Sequence, residues 1–343
     1  MNDDSPYGAF LTYDANRCQD GLGAQLQRIL GIYGIAQALG VGYSHTGFTN
    51  IEANPGDPNT SESERLSLLH RANALADLPS QLSSRAWKLP GIQRLEWSRA
   101  ARIIDAHKIA RRLRQRVVFP LATPYPWADR HPEIYVEGAR KIASRIDSGD
   151  CAAEFRIDVH IRRALAPSIA GTAFSQRFVS TEWYEKVLAT LVAQLEGDAR
   201  SLEIRIHTDI PKGQWDATGG LSPATRALLE ADGLIESDGF LREHWQDLDD
   251  LLKLSPGVRV CREWDPIEAI SSMVTSDILV TCASSFSFVA GLLRGESPVI
   301  SPRFWHNAPP SWLILPRDLD DWDLEQVGEL VSGSANECTM ESM

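Results

Sequence analysis

The stretch Phe155–Arg163, reading FRIDVHIRR, decides how the chain is read. Apolar and polar residues alternate in it. Phe155, Ile157, Val159 and Ile161 share one face, which is the two-residue period of a strand packed on a core. His160 and Arg162 fall on the opposite face, and Arg163 comes where the strand gives way to a loop. Two guanidiniums at the carboxyl end of a strand in an α/β protein form a receptor for phosphate, whose oxygens match the planar, permanently charged fork. Each contact brings roughly 4 kcal/mol of Coulomb attraction at about 4 Å in a partly screened cleft. Arg-Arg pairs also bind surface carboxylates, and the dipeptide alone leaves both uses open.

Outward from this strand the second half of the chain is regular. A loop of small residues, 164–175, leads to a helix over Thr181–Leu195 and a strand over 201–209 (SLEIRIHTD). Helices are expected at Pro223–Ala231, His244–Leu252, Pro266–Thr275, Ser284–Leu293 and Asp320–Val331. Strands are expected at Val258–Cys261, Asp277–Cys282 and Pro298–Ser301. The first half alternates more weakly. It starts with a strand at 8–13, a glycine turn at Asp20–Gln25 and a helix with apolar residues from Leu22 to Leu39. The glycines at 31, 34 and 40 are poor helix formers, and close packing on a sheet would explain them. A second strand begins at Val41–Ser44, a helix follows at Glu62–Leu78, and an irregular stretch holds Trp87 and Trp97. Next come a helix within Arg99–Arg116, a strand at Val117–Leu121, a turn at Pro124–Trp127 and a helix at Glu133–Ile146. Asp147–Asp150 breaks the pattern and marks a domain boundary. Alternating strands and helices imply parallel sheets covered by helices, and two such units facing a cleft are the most economical architecture.

The totals narrow the partners. With 343 residues, 43% hydrophobic and 23% charged, the chain has the composition of a globular protein large enough to bury a core. A formal net charge of −12 repels nucleic acid and anionic membrane as a whole, so an anionic ligand requires a local basic pocket. Residues 99–116 are basic, but they lack interleaved aromatics and read as a solvated helix face. The opening MNDDSPYGAF has no signal-peptide pattern, and no apolar run approaches the ~20 residues of a membrane helix. Cys18, Cys151, Cys261, Cys282 and Cys338 are scattered, without metal spacing or a disulfide framework, and fit a reducing cytoplasm.

Four places put useful groups at strand ends, where parallel sheets gather ligands. Gly21-Leu22-Gly23-Ala24-Gln25 opens a helix, either as a tight turn or as backbone N–H donors for a phosphate. The second place is His160, Arg162 and Arg163. At His207-Thr208-Asp209, the aspartate either caps the next element or accepts from a nucleotide. Ser284 and Ser285 stand where a strand becomes a helix, as an N-cap or as phosphate or ribose ligands; Asp265 has the same two uses. Together they describe a site for a diphosphate-linked nucleotide, with charge neutralised by arginine and N–H groups and no metal required.

These motifs, in this order, resemble the fucosyltransferase superfamily that forms α1,2- and α1,6-linkages and O-fucosylates proteins. The HxRR motif is His160-Ile161-Arg162-Arg163, and the upstream glycine turn with its apolar helix is GLGAQLQRILGIYGIAQALG. HTDIP at 207–211 and SDILVTCASSFSF complete the likeness, which spans residues 16–45 and 155–295. The resemblance implies a two-domain, B-type glycosyltransferase fold. An acceptor-side domain would occupy 1–148 and a nucleotide-sugar-binding Rossmann-like domain 149–317, followed by a helix at 318–332 and a disordered tail at 333–343. It also implies an inverting, metal-independent transfer of fucose from GDP-fucose to a hydroxyl of a glycan acceptor, with no separate cofactor. By carry-over, Arg163 holds the β-phosphate with Arg162 in support. Gly21, Gly23 and Gln25 approach the diphosphate; Asp209 and Asp265 contact guanine or ribose; Ser284, Ser285 and Phe286 line the phosphates.

The chain departs from the pattern in one respect. Many relatives place an acid soon after the arginines, whereas here the next carboxylate is Glu182, which also serves as an N-terminal helix charge. The catalytic base is therefore open between Glu182, His160 and none. A different nucleotide sugar, or a relative that binds a nucleotide or glycan without turnover, stays in view.

Overall fold

The computed structural model of the chain describes residues 7–17, 20–51, 61–80, 82, 86–95, 97–146, 154–162, 178–195, 201–208, 248–261, 265–318 and 326–328. The loop 164–175, the helix expected at 223–231, the first four residues of that expected at 244–252 and most of that expected at 320–331 lie outside them, as do Arg163 and Asp209. The chain divides into two compact units: one takes the residues to Asp147 except 53–60, together with His306–Pro309, and the other takes the rest.

The first unit runs β1 (Gly8–Tyr13), α1 (Leu22–Leu39), β2 (Gly42–Tyr43), α2 (Glu62–Ala76), β3 (Trp87–Lys88) and β4 (Ile92–Arg94). It continues with α3 (Trp97–Arg112), β5 (Arg116–Thr123), α4 (Tyr125–Ala128) and α5 (Ile134–Ala143). Its sheet has the order β2-β1-β5-β3, with β4 also pairing β5, and every pairing is parallel. All six residues of β1 are buried, and α1 is buried on most of its circumference, from Leu22 to Ala36. A helix that apolar all round belongs inside. Its glycines do not serve the sheet, as the sequence suggested. A Cβ on Gly34 would lie 1.8 Å from the Ile134 carbonyl oxygen, and one on Gly31 would lie 2.5 Å from Pro124 Cγ. They admit α4 and α5 against α1 at backbone distance, a helix-on-helix contact. Gly40 ends α1 with a φ of 63°, the left-handed cap that favours glycine. Ser61 and Glu64 close a capping box at the start of α2.

The second unit runs β6 (Glu154–Ile161), α6 (Thr181–Leu195), β7 (Ser201–Thr208), α7 (Leu248–Leu251) and β8 (Val258–Cys261). Then come α8 (Pro266–Thr275), β9 (Ile278–Val280), α9 (Ser285–Leu293), β10 (Val299–Pro302) and β11 (Leu313–Leu315). Six parallel strands lie in the order β11-β10-β9-β6-β7-β8. The expected α/β class, with parallel sheets covered by helices, is the observed one. Phe155, Ile157, Val159 and Ile161 of β6 join Trp183, Tyr184, Val187, Leu188 and Leu191 of α6 in one core. At about 25 cal/mol per Å² removed from water, that core is the main stabilising contribution to this unit.

The other face of β6 was expected to be polar, and it is, yet it is also covered. Arg156 donates to Ser272 O (3.1 Å) and Thr275 Oγ1 (2.6 Å) of α8. Asp158 is fully buried; its Oδ2 accepts from Ser272 Oγ at 2.6 Å and lies 2.9 Å from His207 Nε2 on β7. Buried charge is tolerated only with such partners. The Arg294 guanidinium closes the far end of α8, donating to the carbonyls of Met273, Val274 and Asp277 and to Ser276 Oγ.

Candidate functional site

In the second unit the strand-end groups converge at the carboxyl edge of the sheet. β6 and β7 run in register from Glu154↔Ser201 to Ile161↔Thr208, so Arg162 emerges level with the end of β7. β9 gives way to α9 through Thr281–Ser284, and Ser284 caps α9 by accepting from Phe286 N at 3.3 Å. Arg162 Nη1 donates to the same Ser284 Oγ at 3.3 Å. With both lone pairs of that hydroxyl engaged, its hydrogen is left as a donor. Ser285 is half-buried at the first helical position, and Phe286 is buried with its ring 5.4 Å from that of His160.

His160 is 2% exposed, and its Nδ1 lies 3.1 Å from Cys282 Sγ. Burial first, then the charges of Arg162 and His207, push its pKa down to about 3. The ring is therefore neutral near pH 7 and enclosed, and it braces the strand end from within. Asp158 is held below the usual carboxylate range. Burial alone would raise it, but the hydrogen bonds from His207 and Ser272 and the charge of Arg156 outweigh that.

The remaining expected residues sit as follows. Asp265 caps α8, its Oδ1 accepting from Ile267 N at 2.8 Å and Glu268 N at 3.3 Å, so capping is a use the structure shows for it. Glu182 is exposed in the first turn of α6, where a carboxylate favours the helix dipole. Arg163 and Asp209 lie outside the described residues.

In the first unit Gly21 is the N-cap of α1 without any side-chain cap, and a Cβ there would meet nothing within 4 Å. Gly23 is buried inside the first turn. Gln25 is 1% exposed and its amide is occupied: Oε1 accepts from Tyr13 Oη at 2.9 Å, and Nε2 donates to the carbonyls of Asn50 (2.8 Å) and Asp20. It fastens the turn in place. Asp14, at the carboxyl end of β1, is 8% exposed and 3.5 Å from Arg17 Nε. The sequence reading passed over it, as it passed over the Asp158 network and the Cys282–His160 contact. The signal for the network was present: Arg156 and Asp158 share the face of His160, and a charged face on a middle strand requires cover.

Among the described residues no three His, Cys, Asp or Glu side chains gather as metal ligands, and no helix is long and apolar enough to cross a membrane. No protein-family model matches the chain, and no curated protein matches it. Solved structures do resemble it. An E. coli heptosyltransferase WaaC with ADP is 10% identical, covering 95% of this chain and 99% of its own, with a TM-score of 0.41. The NodZ α-1,6-fucosyltransferase soaked with GDP-fucose is 12% identical over 83% of this chain and 92% of its own, with a TM-score of 0.37. POFUT1 in complex with GDP is 13% identical over 86% of this chain and 99% of its own, with a TM-score of 0.42. None of these likenesses bears on the chemistry of this chain, which rests on its own residues.

Proposed function

We propose that the chain is a glycosyltransferase that takes a GDP-sugar, GDP-fucose first among them, and transfers the sugar with inversion to a hydroxyl of a glycan or glycoconjugate. The observation that carries this reading is the Arg162–Ser284 hydrogen bond. It joins the end of the HIRR segment to the start of the SSFS segment at the carboxyl edge of one parallel sheet, where such sheets hold nucleotides. A guanidinium, a spare hydroxyl hydrogen and the first N–H groups of α9 suit an anionic diphosphate. The acceptor oxygen forms the new bond to the anomeric carbon as the carbon–oxygen bond to the β-phosphate breaks, and the acceptor's proton passes to water, no base being assigned. Charge gathers on departing GDP, where Arg162 and Arg163 stabilise it without a required metal. His160, neutral and enclosed, is a positioning residue in this reading.

The test is thermal unfolding with GDP, UDP, GDP-fucose, GDP-mannose and UDP-glucose, followed by transfer assays with and without EDTA. A ligand at 100 times its dissociation constant stabilises by about 2.7 kcal/mol. Stabilisation by GDP and GDP-fucose and not by the uridine compounds is expected. Arg163→Ala should lower transfer by about a hundredfold or more while the protein stays folded. Wild-type transfer in that variant, or a strict need for Mn²⁺, overturns the reading.

A further inference from the structure

The basic stretch left unused by the donor site lies in the first unit. Residues 97–116 hold seven Lys or Arg and one carboxylate, Asp105, in a chain whose net charge is −12. α3 packs on β1 and β5, burying Ala100, Ile103 and Ala110, and its opposite side is exposed. On that side Ile109 and, one turn on, Leu113 are each 59% exposed. Lys108, Arg112 and Arg114 are exposed among them; Lys108 lies 3.7 Å from Asp105. Arg114, with a φ of 53°, turns the chain from α3 into β5 and so brings Leu113 to the amino-terminal edge of the sheet. Trp87 stands at that same edge, in register with Val117, and is 71% exposed.

Large apolar side chains left in water beside long-stemmed cations suit the boundary between lipid headgroups and acyl chains. A tryptophan rests at headgroup level, aliphatics reach below it, and Lys and Arg meet the phosphates. We propose that this edge of the first unit docks on an anionic phospholipid bilayer. A second copy of the chain fits less well, because a two-fold contact sets the cationic patch against itself. Nucleic acid would use the cations and leave Ile109 and Leu113 in water. The edge is opposite the carboxyl ends of the same strands, so docking leaves Asp14 and the Gly21 turn uncovered.

The experiment is co-sedimentation of the full chain with phosphatidylcholine vesicles, alone or with about one-third phosphatidylglycerol, at low and physiological salt. Binding is expected to the anionic vesicles only and to weaken with salt. Trp87→Ser with Ile109→Ser and Leu113→Ser should abolish binding at physiological salt. Lys108→Glu with Arg112→Glu and Arg114→Glu should weaken binding about a hundredfold or more. All six side chains are exposed, so the apolar variant is expected to unfold at the wild-type temperature, the charge-reversed variant, with acids at the C-terminal end of α3, slightly below it, and both to keep their response to GDP. Equal binding to neutral vesicles, undiminished binding by the charge-reversed variant, or capture of RNA with no capture of vesicles overturns the proposal. A dimer in solution that the apolar variant dissolves, with no vesicle binding, also overturns it.

Discussion

β1 lies between β2 and β5 and buries Gly8 to Tyr13 on both faces; β6 lies between β9 and β7 and is buried from Phe155 to Ile161 except at the half-buried Arg156. β1 meets its neighbours through Ala9, Phe10, Leu11 and Tyr13, with Thr12 the polar exception, 2.7 Å from Thr46 Oγ1. β6 gives one face to apolar residues and the other to Arg156, Asp158 and His160. An apolar strand needs shape alone from its surroundings, whereas a charged one needs a complete set of partners in fixed directions. The second arrangement holds Arg162 at one height and orientation, and it makes the unit sensitive to the loss of any one partner.

The strongest way to break this contrast is Asp158→Ala. It leaves the half-buried Arg156 and the buried His207 without their carboxylate and should cost about 3–5 kcal/mol in urea unfolding. A loss under about 1 kcal/mol would mean the network is ornamental. In the first unit the corresponding weak point is steric. Gly34→Ala drives a methyl into the Ile134 carbonyl and should cost about 1–3 kcal/mol.

pH separates the two units further. His160 titrates near 6.5 when unfolded and about 3 when folded. Between those values the unfolded chain binds more protons, so the second unit loses up to about 1.4 kcal/mol for each pH unit of acidification. Asp158, depressed in the fold, adds a loss of the same sign as pH falls below its unfolded value of 3.8. In the first unit burial raises Tyr43 and Tyr135, whose contributions are full below pH 10 and are lost above it. His45, lowered by burial, gives that unit an acid response as well. Peptide-resolved hydrogen exchange from pH 7 to 4 should find β6 and α9 opening before β1. Proteolysis mapped between pH 10 and 11 should find the reverse. The opposite order would sink the assignment.

Smaller effects sharpen the site. Ser284→Ala removes the cap of α9 and the acceptor of Arg162; about 1 kcal/mol of stability and part of the GDP response should go together. Gly21→Ala, with open space at its Cβ, should change stability by only a few tenths of a kcal/mol. If it nonetheless lowers GDP binding severalfold, the α1 turn is a ligand contact.

Much of this was legible in the sequence where local pattern and tertiary packing agree. Pro266–Thr275 carries its own N-cap and proline and forms the expected helix, and the two-residue period of 155–161 forms the expected strand. β4 and β11 were missed because three residues carry no period, and Pro124–Trp127, read as a turn, continues into the short helix α4. The glycines of α1 were assigned to the wrong neighbour, since sequence shows that something approaches closely but not what. The cover over this face was invisible for the same reason: Ser272, which bonds Asp158, and Thr275, which bonds Arg156, lie 114 and 119 residues further along than those partners, on a helix that shows no local sign of them. At the site, the motif residues Arg162 and Ser284 meet, while Gln25 and Asp265 proved to be occupied by their own turns.

The packing of Cys282 gives the chain a clock. Its thiol is 2% exposed and pressed against His160, so a thiol reagent reaches it only in the moments when α9 lifts from the end of β6. Cys261, half-exposed at the end of β8, marks how fast the same reagent reacts without waiting. Each labelling event at Cys282 then counts one opening of the edge where Arg162 and Ser284 meet. A diphosphate that bridges those two side chains would stretch the interval between ticks in proportion to how tightly it holds them shut.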